Sequence, residues 1–195
     1  MAGLTPSQTV GPFFLFGLVP STAGGVDIVT NDLVTPDVAG ERIRIEGRVL
    51  DGDLKPVPDA LIEIWQADAT GRYAAPADSR TRPNTAFKGF GRAPTDDEGR
   101  YGFHTIKPGP VPGPNGTMQA PHILVNLFAR GLLKQMVTRI YFSDEPANAT
   151  DPILALVPED RRATLIAQRS ERDGIAVYTF DVRLQGDDET VFFEA

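Results

Sequence analysis

From residue 41 onward the chain alternates apolar and polar side chains, the period of a strand rather than a helix. Ile43, Ile45 and Val49 are apolar, while Arg42, Arg44, Glu46 and Arg48 are polar. That pattern predicts a half-buried strand, because successive side chains point to opposite faces. Asp51-Gly52 starts a turn. Leu61, Ile62, Ile64 and Trp65 around Glu63 predict the next strand, and a core-facing Trp65 needs a partner for its indole N–H. Residues 95–103 read as a hairpin turn entering a strand. Residues 122–129 and 136–142 read as two more strands, joined by Arg130-Gly131-Leu132-Leu133-Lys134. Over 176–184, Val177, Thr179, Asp181 and Arg183 oppose Tyr178, Phe180, Val182 and Leu184, and 191–193 gives a last short strand. One short helix is predicted over 158–168. Pro158 suits a first turn, Glu159 and Asp160 suit its dipole, and Arg162 and Ile166 share a face.

About seven short strands and one short helix predict an all-β, two-sheet β-sandwich. The 19 glycines and 17 prolines are scattered without a period, as turns between short strands require. Residues 74–92, rich in Ala, Pro, Arg and Asn, are expected to form a long loop. Residues 107–116 hold four prolines, too many for a regular hydrogen-bond ladder. The first 40 residues are loop-rich, and Thr9-Val10-Gly11-Pro12-Phe13-Phe14 forms an apolar arm that must pack on a partner or on its own core. The expected organisation is an arm with loops over 1–40, packing on a partner chain, and a sandwich domain over 41–195.

The chain has 195 residues, no cysteine and a formal net charge of -7. The missing cysteines exclude disulfides, zinc ribbons and thiol nucleophiles. No run of Lys or Arg offers a basic footprint for nucleic acid. No apolar stretch near the N-terminus is long enough for a membrane span. A soluble cytoplasmic protein is expected.

The ordered segments that carry chemistry are Ile45-Glu46-Gly47-Arg48-Val49, then Gly52, then 60–68 ending in Trp65-Gln66-Ala67-Asp68, and Gly71-Arg72-Tyr73. Lys107-Pro108-Gly109 and Pro121-His122-Ile123 follow. Together they resemble the signature of the intradiol ring-cleaving dioxygenases, from the arm to residue 193. The resemblance implies an immunoglobulin-like sandwich and a ferric ion held by two tyrosines and two histidines. Phenolate is a hard anionic donor that favours Fe(III), and imidazoles complete such a site.

Against that pattern, Tyr73 matches the first tyrosine and His122 the first histidine, but Val111 stands at the second tyrosine position and Leu124 at the second histidine position. Leu124 shares a strand face with His122, so that face offers one nitrogen where the family offers two. His104 reads as a structural or surface histidine. Tyr101, Tyr141 and Tyr178 read as packing residues with bonded hydroxyls. Tyr73 and His122 are then remnants, bonded to each other or to backbone, with Tyr73 a neutral phenol.

The resemblance therefore implies a non-metal alpha subunit, with Fe(III) held by the beta subunit of a hetero-oligomer of alpha–beta pairs. A small aromatic acid and O2 would be the substrates. The alpha chain's share of the substrate pocket would be Thr9, Gly11, Pro12 and Arg130. Arginine meets a carboxylate with two parallel N–H bonds, and a local cation matters in a chain of net negative charge. Two other functions fit the sequence: a self-sufficient catechol or hydroxyquinol dioxygenase with altered ligands, and a non-catalytic β-sandwich binding module.

Overall fold

The computed structural model describes residues 6–11, 13–82 and 85–194. Its strands are β1 Arg42–Leu50, β2 Leu61–Trp65, β3 Phe90–Pro94, β4 Arg100–Ile106, β5 Val111–Pro112, β6 Met118–Gln119, β7 His122–Phe128, β8 Met136–Phe142, β9 Ile166–Arg172, β10 Ile175–Thr179 and β11 Val182–Arg183. The one α-helix among the described residues is α1, Phe14–Leu18.

Two layers form, as the alternation predicts. One runs β4-β1-β10-β9, the other β3-β2-β7-β8-β9, and β5 pairs with β6 in a separate small ribbon. β9 belongs to both layers. Ile166 and Ala167 pair parallel with β8, and Gln168 to Arg172 pair antiparallel with β10. The core lies between the layers and includes Ile43, Ile45, Ile62, Ile64, Phe103, Ile123, Val125, Ile140, Phe142 and Tyr178. Each fully buried side chain of this size contributes roughly 1.5–3 kcal/mol.

Four expectations need correction. The strand over 176–184 breaks at Phe180 and Asp181. The Phe180 N–H donates to Glu46 O at 2.8 Å, and the Asp181 carboxylate accepts the Arg48 N–H at 2.9 Å, so side-chain pairing replaces the ladder for one step. The helix over 158–168 is a 3-10 turn, Glu159–Leu165, that runs straight into β9 because Ile166 pairs with Tyr141. Residues 191–193 make only an isolated bridge, Val137 to Phe193. The loop over 74–92 ends early, since Phe90 already pairs with Trp65.

Trp65 is not in the core. On β2 the core takes Ile62 and Ile64, while Leu61, Glu63 and Trp65 face outward. The described part of the arm packs on the chain's own core, one of the two expected placements. Leu15 and Val19 of α1 and its flank pack on Leu61 and Phe128 of the chain's own sandwich. Phe13 is 72% exposed and Phe16 44% exposed, with their rings 5.8 Å apart.

Candidate functional site

The outer face of β2, β7 and β8 carries one row of cross-strand neighbours. Trp65 lies opposite Leu124, and Leu124 opposite Arg139. One step along, His122 lies opposite Tyr141. Above this face is a cavity of about 490 Å³, lined by Trp65, Tyr73, Asp78, Arg80, Val111, Pro112, Gln119, His122 and Arg139, with Ala75 and Ala77 at its rim.

Backbone packing brings Tyr73 and Val111 to the same cavity. The Asp68 carboxylate closes a turn by accepting from Thr70 N at 2.8 Å, Thr70 Oγ1 at 2.7 Å and Arg72 N at 3.1 Å. Gly109 N then donates to Asp68 O at 2.9 Å. Gly71 has φ +73, and a Cβ there would collide with the Pro110 carbonyl. Only glycine permits both the left-handed backbone and that approach. The chain leaves this contact with Tyr73 on one side and Val111 on the other.

Tyr73 stacks on Trp65, with centroids 5.8 Å apart and planes 16° apart. Its N–H donates to Asp78 Oδ2 at 2.9 Å. Burial raises the Tyr73 phenol above its ordinary range, and the nearby Arg139 and Arg80 cations oppose that only in part. The phenol is neutral. His122 is buried, with Nδ1 2.8 Å from Ala120 O. A carbonyl only accepts, so Nδ1 carries the proton and Nε2 keeps its lone pair. Burial, helped by Arg139, lowers the His122 pKa, so the ring is neutral too.

Two arginines reach this cavity, and they differ. Arg80 is saturated. Its Nε donates to Asp78 Oδ1 at 2.8 Å and its Nη2 to Asp78 Oδ2 at 2.6 Å and Gly71 O at 2.7 Å. That pairing holds the Asp78 carboxyl far below the usual carboxylate range. Arg139 bonds neutral groups, Gln119 Oε1 at 2.7 Å and the Tyr141 hydroxyl at 3.4 Å. Sequence reasoning missed Trp65, Arg80, Gln119 and Arg139 as cavity residues. The strand alternation that puts Arg139 and Tyr141 on one face was the only available signal.

The donor set does not fit ferric iron. Two of the four expected positions are Val111 and Leu124, the remaining phenol is held neutral, and the Arg139 guanidinium lines the same cavity as Tyr73 and His122. A fixed cation repels a metal ion at short range. Among the described residues no cluster of three or more His, Asp or Glu could hold a metal elsewhere.

Of the four pocket residues implied by the resemblance, Thr9 and Arg130 meet at another corner. Thr9 Oγ1 accepts the Gly131 N–H at 2.8 Å, which fastens the arm beside Arg130 although 122 residues separate the two in the chain. Gly131 has φ +90, a turn conformation that favours glycine. Gly11 is exposed, and its carbonyl accepts the Phe14 N–H at 3.1 Å. Pro12 lies outside the described residues. Arg130 is exposed and pairs with Asp59 at 2.6 Å, a partner that no pattern along the chain marks.

Known proteins share this fold. A family model described as a dioxygenase matches residues 11–186. The protocatechuate 3,4-dioxygenase alpha chain of Pseudomonas putida is 47% identical over 97% of this chain and 96% of its own length. The protocatechuate 3,4-dioxygenase beta chain of Burkholderia cepacia is 42% identical over 84% of this chain and 73% of its own. The solved dioxygenase domain of a dioxygenase carbohydrate-binding fusion from Streptomyces sp. SirexAA-E superimposes with a TM-score of 0.62 at 25% identity, covering 93% of this chain and 99% of that one. On that coverage and those identities, this chain belongs to the intradiol ring-cleavage dioxygenase family.

Proposed function

We propose that this chain is the non-iron alpha subunit of a protocatechuate 3,4-dioxygenase, completing the substrate pocket of an iron-bearing beta chain. The observation that carries this is the donor gap: Val111 and Leu124 stand at two ligand positions in a chain that otherwise matches an alpha chain over nearly its full length. Ferric iron on the beta chain would supply the activation of the diol towards O2, cleaving the ring between the two hydroxyl-bearing carbons to give 3-carboxy-cis,cis-muconate.

This chain's own residues bind and orient. Arg130 receives the substrate carboxylate, leaving Asp59 as it does so. The ion pair with Asp59 is exposed and therefore weak, so a substrate anion displaces it at little cost. Thr9 and Gly11 stand beside it, with Thr9 fastened to the Gly131 turn; Pro12, the fourth residue of the proposed set, lies outside the described residues. The exposed Phe13 and Phe16 face the beta chain and are covered in the pair. Residues 1–40 serve as the docking arm and 41–195 as the sandwich that presents Arg130. Among the described residues no helix is long and apolar enough to cross a membrane, and the proposal places the pair in the cytoplasm.

Co-expression with the beta chain tests the proposal. The pair is expected to hold one iron and to take up O2 with protocatechuate, and the lone chain to do neither. Iron and catechol turnover in the lone chain would overturn it. Within the pair, Arg130→Ala is expected to raise KM for protocatechuate roughly ten- to hundredfold while leaving KM for catechol, which has no carboxylate, almost unchanged. Equal effects on both substrates would remove Arg130 from the carboxylate site.

A further inference from the structure

We propose that the cavity between Trp65, Tyr73, His122 and Arg139 is a metal-free binding site for a small aromatic monocarboxylate. It lies on this chain alone and does not depend on the subunit reading above.

The first argument is charge. Arg139 has no carboxylate within ion-pair distance among the described residues, in a chain with formal net charge -7. Its Nη1 is held by the Gln119 side-chain oxygen, and Gln119 cannot turn away because its Nε2 donates to Pro112 O at 3.0 Å. Asp151 reaches Arg139 only through the Tyr141 hydroxyl, which donates to Asp151 Oδ1 at 3.1 Å. Asp151 is itself committed to Ala120 N, Ile153 N and Leu154 N. Arg80, a few residues along the wall, shows what a neutralised guanidinium looks like here. A half-buried cation with neutral partners selects an anion, and guanidinium favours a planar carboxylate.

The second argument is shape. Trp65 and Tyr73 present a stacked aromatic wall, and Val111 and Pro112 close the other side with apolar surface. A cavity of about 490 Å³ lies in the usual range for small ligands. One cation and apolar walls suit a benzoate-like monoanion better than phosphate, whose multiple charges would be left unpaired. The unprotonated Nε2 of His122 accepts a hydrogen bond, so a ring hydroxyl on the ligand gains a partner.

Trp65 is the only tryptophan in the chain and lines the cavity, so its fluorescence reports occupancy. Benzoate titrated into the full-length chain is expected to change Trp65 emission saturably, with one equivalent bound by calorimetry. Phenol, acetate and inorganic phosphate are expected to bind at least about tenfold more weakly, since each lacks the ring, the carboxylate or the single charge. Arg139→Gln is expected to weaken benzoate at least about tenfold, and Arg139→Lys, which keeps the charge without the planar fork, by less. Arg130→Ala is expected to leave the Trp65 response in place. No response to benzoate at millimolar concentration, a response to phenol or phosphate as strong as to benzoate, or benzoate binding lost with Arg130→Ala and kept in both Arg139 variants would each overturn the proposal. None of these outcomes bears on activity of the alpha–beta pair, so the two proposals fail separately.

Discussion

The cavity over β7 and the corner where the arm meets Arg130 make an instructive contrast. The cavity is framed by close backbone packing at Gly71 and Gly109 and lined by aromatic rings, and of the four donor positions expected from the resemblance only Tyr73 and His122 carry a donor. The corner is shallow and exposed, with one hydrogen bond from Gly131 to Thr9 and one surface ion pair to Asp59. The first place is shaped by packed backbone and rings, and the second is held by two exposed polar contacts. Arg130, Phe13 and Phe16 are exposed, and in the proposed pair the beta chain would cover them.

The strongest way to break that contrast is to refill the cavity with donors. Val111→Tyr with Leu124→His restores the family's four ligand types, but Arg139 still opposes a trivalent ion. Adding Arg139→Gln is expected to convert no detectable iron binding into about one ferric ion per chain, read by metal analysis and a visible absorption band. Iron uptake by the two-residue variant with Arg139 intact would show that the cation is no obstacle.

The frame of the cavity is tested next. Gly71→Ala forces a Cβ into a left-handed turn against the Pro110 carbonyl and is expected to cost about 2–4 kcal/mol. Urea denaturation measures the loss, and an unchanged midpoint would mean that the turn at Asp68 shifts freely.

Thr9→Ala probes the corner and is expected to be milder. It removes the acceptor for Gly131 N–H, worth about 1 kcal/mol at an exposed site. The expected result is faster proteolysis and hydrogen exchange over 6–18, with little change in the global midpoint. A large drop in the midpoint would make the arm part of the core.

The smallest expected effect is on pH dependence. The His122 pKa in the folded chain lies below its unfolded value, through burial and then Arg139. Its contribution to stability is full above the unfolded pKa and is lost as pH falls through the folded one. The parent chain should therefore lose stability more steeply between about pH 7 and 5 than His122→Gln. Parallel curves would show that His122 titrates as it does in the unfolded chain.

Much of the frame was legible in the residues themselves. β1, β2, β7 and β8 combine alternation with β-branched side chains, and their predicted limits fall within a residue or so of the observed ones. β9 was hidden because Gln168-Arg169-Ser170-Glu171-Arg172 is polar on both faces, so no period marks it. β3 was hidden by Gly91 and Pro94. Of the cavity, Tyr73, Val111 and His122 were nameable from the resemblance, and all three line it. Leu124 takes the same sheet face between Trp65 and Arg139 but does not line the cavity. Arg139 escaped notice because a charge on a strand reads as solvent-facing until the loop that covers it is known, and Arg80 because it sits in a loop without a period. Asp59 escaped for a similar reason: its positive φ of 55° turns it towards Arg130, and nothing in a one-dimensional pattern encodes that direction.

β9 carries one further consequence. Because a single strand stitches the two layers along one border, they cannot slide or hinge apart there without tearing hydrogen bonds on both sides of the seam. Any accommodation of a guest above β7 then falls to the coverings, the 72–82 loop and the β5–β6 ribbon. Such a division of labour between a stiff chassis and an adaptable roof lets the contents of the chamber be exchanged over generations while the outline stays put.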